Sequence, residues 1–224
     1  MSQPPDLLSD EHADLAAFLR SLTPEQWDRP SLCDGWTTRD VVAHLAAWDD
    51  LLIYTSAEEH ARRLLGLSAR FVRSGLSMNR LNAQLHANAG GRSPAEILIA
   101  FERRGADGPT RVFDRAAPGA QLAEYLVHHQ DIRRALPVPR TIPAERLICA
   151  LDAVGKVPGV RAARRTRGLR LRATDLDWSA GHGAEVRGPG EALLMALAGR
   201  PSALDDLAGE GTDILTRRMR TTGG

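Results

Sequence analysis

Lysine, cysteine, surplus charge of either sign and long apolar runs are all scarce in this chain of 224 residues. All of these scarcities but that of lysine close off a class of function. Lys156 is the single lysine among 29 basic residues, and these face 28 acidic ones for a net charge of +1. Such a balance argues against a protein whose main task is electrostatic capture of nucleic acid or of an anionic membrane. The preference for arginine over lysine reflects the codon bias of a GC-rich genome and is assigned no function. Cys33 and Cys149, far apart in the chain, read as reduced thiols in a protein without an export signal. No apolar run approaches the roughly 20 residues that span a bilayer. The start, Met1-Ser2-Gln3-Pro4-Pro5-Asp6, has neither the basic nor the apolar region of a signal peptide. These absences together lead us to expect a cytoplasmic protein with no nucleic-acid or membrane partner, and a monomer is taken as the default.

What is present is an ordinary globular composition, 43% hydrophobic and 25% charged, sufficient for one large domain or a main domain with a small second one. Leu7, Leu8, Leu15, Phe18, Leu19 and Leu22 recur at helical spacing and predict a first helix over about 7–22. Thr23-Pro24-Glu25-Gln26 is a helix start, cut short by Arg29-Pro30 and Asp34-Gly35. Thr37-Thr38-Arg39-Asp40 caps a long helix with the stripe Val41, Leu45, Trp48, Leu51 and Leu52, and His44 falls inside that stripe. A weaker helical pattern covers about 64–87. Ser93-Pro94-Ala95-Glu96 is a capping box opening the next helix. Another runs from about Ala120 to Leu136, where Pro137 and Pro139 end it, and a further one opens at Pro143-Ala144-Glu145.

After about residue 160 the pattern changes. Gly168 to Thr174 alternates with period two, as a half-buried strand does. Leu176-Asp177-Trp178 suggests a second strand and Ala184 to Arg187 a third, parted by the turn Gly181-His182-Gly183. Apolar helices follow, the last from Gly209 to Met219. The expectation is a mainly α protein, with a helical bundle over 1–160, a small α+β domain over 161–224, and the basic stretch Arg161 to Arg167 as linker.

Glu124 and His128 stand four residues apart, which stacks both side chains on one helix face. His44 lies on another helix, in a stripe expected to face the bundle interior. Two imidazoles and a carboxylate suit zinc, with a fourth position left open for water or substrate, and bundle interiors are where such sites are built. Plainer readings stand beside this one. A Glu and a His at this spacing arise by chance in many chains, and a histidine among apolar residues is commonly a hydrogen-bonded core group. Asp131 follows His128 by three residues and could take the second ring N–H of a ligating histidine, or pair with Arg134. His129, turned about 100° from His128, is read as outer-shell or surface. His12, His60, His86 and His182 have no partner at ligand spacing. Cys33, in the loop before the His44 helix, is read as a packed thiol rather than a further ligand. Trp36 and Trp48 are read as core that could also wall a pocket.

Three segments carry a resemblance: Leu22-Thr23-Pro24-Glu25-Gln26-Trp27, Cys33-Asp34-Gly35-Trp36 through His44-Leu45, and Glu124-Tyr125-Leu126-Val127-His128-His129-Gln130-Asp131-Ile132. Together they resemble the mycothiol-dependent maleylpyruvate isomerase family, within the DinB-like superfamily of metal-dependent thiol transferases. Asp177-Trp178 and Val186 through Leu194 look like that family's second domain. The resemblance implies a DinB-like up-and-down four-helix bundle followed by a small α+β domain similar to sterol-carrier-like modules. It also implies His44, Glu124 and His128 as ligands of a divalent metal, zinc, with mycothiol as thiol cosubstrate and an electrophilic small molecule as its target. In an isomerase the thiolate adds to a cis double bond, the bond rotates, and elimination releases the trans product; in an S-transferase the adduct is kept. Maleylpyruvate carries two carboxylates, and the resemblance implies a C-terminal arginine near them; Arg217, Arg218 and Arg220 are available, each more plainly a solvated surface charge. Two rivals come from other classes. One is a zinc-water hydrolase with Asp131 as the base; the other is a non-catalytic protein that holds a metal or a small ligand.

Overall fold

Local capping chemistry sets three of the described helix starts. The computed structural model describes residues 3–52, 65–66, 69, 72–73, 91–106, 117–157 and 160–220. Nearly all of the helix expected over 64–87, His60, His86 and the side chain of Trp48 lie outside the described residues. Helix α1 spans Pro4–Arg20 and α2 spans Pro24–Trp27. At α2 the Thr23 N–H donates to the Gln26 side chain over 2.9 Å, and the two form the reciprocal capping box that satisfies two orphan donors. Helix α3 covers Thr38–Leu52, with Thr37 N–H donating to Asp40 Oδ2 at 2.8 Å and Asp40 N–H to Thr37 Oγ1 at 3.3 Å. Helix α4 covers Pro94–Ala106, and Ser93 and Glu96 make the box expected of them, the Ser93 N–H reaching Glu96 at 2.7 Å. Those bonds hold the Glu96 carboxyl below its ordinary pKa. Helix α5 spans Pro118–Ala135, α6 Ala144–Ala153, α7 Ala162–Thr166, α8 Gly190–Leu197 and α9 Thr212–Arg220. Pro201–Asp206 is a 3-10 turn.

The described residues divide into two compact units, and the chain crosses between them inside α1 and again inside α5. One unit holds His12–Ala116 and Asp131–Val138. There α3 packs on α4, and Phe101, Leu15, Leu19, Ile97 and Val41 are buried to 1% exposure or less. His12 is a core histidine: its ring stacks on Phe101 with centroids 4.2 Å apart, and its Nε2 donates to the Phe101 carbonyl over 2.9 Å.

The other unit holds Met1–Glu11, Ala117–Gln130 and Pro139–Gly224. Its sheet has the order β2-β1-β3, with β1 at Leu169–Ala173, β2 at Ser179–Gly181 and β3 at Ala184–Gly188. β1 runs antiparallel to β2 and parallel to β3, Leu171 facing Ala180 and Val186. The alternation seen in the sequence is real: Leu169, Leu171 and Ala173 are buried and Arg170 and Arg172 are exposed. Helix α8 packs on α6, β1 and β3.

Two expectations need correcting here. Leu176-Asp177-Trp178 is not a strand, and the second strand begins one residue later. Ala173 N–H donates to the Trp178 carbonyl and Trp178 N–H to that of Leu176, both over 3.0 Å, so this stretch is the turn that reverses the chain. Gly181, at the end of β2, has φ 76° and a Cβ there would stand 2.3 Å from the Leu169 carbonyl oxygen; only glycine fits. The stretch 161–167 is no bare linker but carries the short helix α7. Arg165 donates to the Leu197 carbonyl at the end of α8 over 3.0 Å, and Arg218 donates to the carbonyls of Arg165 and Arg167. Burial, with Arg200 and Arg161 close by, lowers the Arg165 pKa. Among the described residues no helix is long and apolar enough to cross a membrane.

Candidate metal centre

Helix α5 is buried on every side through its middle. From Ala120 to Ile132 every residue is buried except Glu124. Amphipathic helices keep a polar solvent face; this one instead buries Gln121, His128, His129, Gln130 and Asp131. Each buried polar group must find a partner or lose its hydration uncompensated. The partners of 128–131 radiate from the helix, because successive side chains turn by about 100°.

Glu124 and His128 meet as their spacing predicts. His128 Nε2 lies 3.2 Å from Glu124 Oε1, with side-chain exposures of 8% and 29%. Two donor atoms each about 2.0–2.1 Å from a tetrahedral zinc stand about 3.3 Å apart, so the pair has the spacing of two ligands on one ion. An imidazole nitrogen beside a carboxylate oxygen is also a donor set that zinc accepts. His44 is on α3, in the other unit, 6% exposed between buried Ala43 and Leu45; its ring stands 5.1 Å from that of Trp36, tilted by 59°. Among the described residues, two sets have the residue types to hold a metal ion: His44 with Glu124 and His128, and Cys33 with His128 and Asp131.

Asp131 is fully buried. The Cys33 thiol donates to its Oδ2 over 3.1 Å, and its carbonyl accepts the Leu32 N–H at 3.1 Å. The loop ahead of α3 is thereby tied to the residue expected to orient His128. Of the C-terminal arginines, Arg217 and Arg220 are exposed as anticipated. Arg218 is spent on backbone carbonyls.

Of the two readings of His129, as a residue behind the ligands or as a surface residue, the second fails. His129 has no exposure at all, and its Nδ1 stands 2.8 Å from Glu11 Oε1. Glu11, equally buried, also takes Arg140 at 2.6 Å and Arg146 at 3.2 Å. Burial alone would raise the Glu11 pKa, but the His129 hydrogen bond and the Arg140 charge outweigh it and hold the carboxyl below its ordinary value. The carboxylate is therefore ionised near neutrality and His129 Nδ1 carries the proton it donates. Gln130 extends the network: its amide donates to Glu191 at 2.8 Å, and its carbonyl accepts from Arg140 at 3.0 Å. Our reading of the sequence missed this network. A signal was there, since Glu11 sits midway between Leu7 and Leu15 at helical spacing, a charge inside an apolar stripe.

Residues 8–133 match a family model described as the mycothiol maleylpyruvate isomerase N-terminal domain. Among solved structures, the chain is similar to a crystal structure of the mycothiol-dependent maleylpyruvate isomerase, at 16% identity and a TM-score of 0.58, over 93% of this chain and 92% of that one. A histidine-to-alanine mutant of that enzyme is similar over the same shares, at 15% identity and a TM-score of 0.57. At such identities these likenesses are likenesses of fold. They match a mainly helical chain with a small C-terminal sheet. No curated protein matches the chain.

Proposed function

The chain belongs to the mycothiol maleylpyruvate isomerase family, a family of enzymes, and on that premise we propose that His44, Glu124 and His128 hold one divalent ion, zinc, at which mycothiol is activated. The observation that carries this reading is on α5: in a run that is otherwise buried from 120 to 132, the one residue with access to solvent is the carboxylate beside His128. A small thiol and its target must reach the ligands, and Glu124 is where solvent reaches this face of the helix.

Bound zinc would lower the pKa of a coordinated thiol, about 8.5 when free, so that its sulfur is nucleophilic at neutral pH. The protein's own residues prepare that chemistry. Glu124 supplies negative charge and a partly hydrated entrance, while His128, 8% exposed, offers a neutral nitrogen from the drier side. His44 brings the third donor from α3. Asp131 accepts the Cys33 thiol at Oδ2, which fixes its side chain three residues beyond His128. The reaction we assign is addition of the thiolate to an activated cis double bond, rotation, and elimination of the same thiolate, so that no net oxidant or co-reactant is consumed. The substrate is maleylpyruvate or an electrophile like it, and an S-transferase on the same site would stop at the adduct. In this reading the ligands lie within residues 1–160, and 161–224 form the smaller α+β domain.

The test is metal analysis of the purified protein together with isomerisation of maleylpyruvate followed with and without mycothiol. We expect close to one zinc per chain, activity only with the thiol, and loss of both metal and activity in His128→Ala. Full metal content in His44→Ala, or thiol-independent turnover, would sink the assignment.

A further inference from the structure

A metal site carried by a helix is only as good as the helix's rotation about its own axis. An atom about 5 Å from the axis moves about 0.9 Å when the helix turns by 10°, whereas metal–ligand distances tolerate about 0.2 Å. Glu124 and His128 share one face of α5. Nothing in the i,i+4 geometry of that pair resists a concerted rotation. His129 and Gln130, about 100° and 200° further round, can resist it, because each is tied to a different element. His129 Nδ1 donates to Glu11 on α1 at 2.8 Å, within the residues 1–11 that belong to the same unit as this part of α5. Gln130 is held between Arg140 and Glu191, at the start of α8. Glu11 is in turn held by both terminal guanidinium nitrogens of Arg140, so the anchor that receives His129 cannot itself swing away.

We infer that Glu11 and His129 form a positioning pair: their buried hydrogen bond sets the rotation of α5 and so holds Glu124 and His128 in ligand geometry. The inference rests on the metal reading given above. It assigns His129 no contact with metal or substrate. Its effect passes through the helix, and the hydrogen bond, not the volume of the imidazole, is what matters.

Zinc affinity of the full chain, read by competition of zinc alone against a chromogenic chelator, tests it. His129→Asn places an amide donor where Nδ1 stood, while His129→Leu keeps comparable volume without a donor. We expect the asparagine variant to bind zinc within about twofold of wild type and the leucine variant to bind about tenfold more weakly, the scale seen when groups that orient ligands are removed. His129→Met takes the place of the leucine variant if that one does not fold. Arg146→Met, which removes a partner of Glu11 but not the bond to His129, is the control; its affinity should stay within about twofold of wild type. The inference is overturned if the leucine variant binds as wild type, if the asparagine variant loses as much as the leucine variant, or if Arg146→Met weakens zinc binding equally. Failure of the underlying metal reading looks different, since His128→Ala would then leave zinc binding unchanged.

Discussion

Helices α5 and α8 are both buried, and they reach burial by opposite chemistry. In α8 the residues from Ala192 to Leu197 are all apolar and all buried. Burial there is driven by the hydrophobic effect, which is non-directional, so any close-packed neighbours will serve. In α5 the buried stretch includes two histidines, two glutamines and an aspartate, and each requires a particular partner at a particular angle. A helix of the first kind is stabilised by composition. A helix of the second kind is stable only in one rotation, and gives a reacting group one fixed address.

Three expected outcomes would break or sharpen this contrast. The largest is for Glu11→Ala, which strips His129, Arg140 and Arg146 of their shared carboxylate. Removing one partner from a buried charge cluster costs about 3–5 kcal/mol, a fall in Tm of roughly 10 °C for a chain of this size, measurable by calorimetry. Next is Leu193→Ala, where a side chain 1% exposed leaves a cavity costing about 3 kcal/mol. Calorimetry with added zinc should find that this variant keeps the wild-type rise in Tm on metal binding, because α8 supplies volume and no ligand geometry. If Leu193→Ala abolished that rise, the two helices would not be doing separate work. The smallest effect is one of pH. The folded pKa of Glu11 is depressed below its ordinary value of 4.5, so its stabilisation is present above that value and is lost as pH falls through the lower folded one. Urea unfolding of Glu11→Gln should therefore show a shallower loss of stability toward acid than wild type, with the two curves parallel above about pH 6.

How much of this could be read beforehand follows the same divide. Short-range signals were legible. Thr23-Pro24 and Ser93 with Glu96 open helices as the capping rules require, and β1 alternates as written. The spacing of Glu124 and His128 is realised as a contact of 3.2 Å. The resemblance of three segments was sufficient to name the family that residues 8–133 match. What could not be read was set by partners distant in sequence. Glu11 and His129 are 118 positions apart, and nothing local to His129 separates a surface residue from a buried donor. Leu176 to Trp178 has the residues of a strand, but the turn bonded through Ala173 and Trp178 shifts the ladder to Ser179. Basic Arg161 to Arg167 looked like solvated linker because the carbonyls that take Arg165 and Arg218 lie on other elements or come from the backbone itself.

The small sheet carries one last consequence, for how this protein behaves in a crowded solution. Its outer strand β3 would otherwise present a free edge, but Arg187 exchanges two backbone bonds with Ala208, at 2.7 and 2.8 Å, and the Glu185 carbonyl accepts Gly211 N–H. The opposite edge is β2, three residues long. A strand from another molecule would find one side already occupied and the other too short to template a ladder. A three-stranded sheet built this way is closed to recruitment without being closed into a barrel.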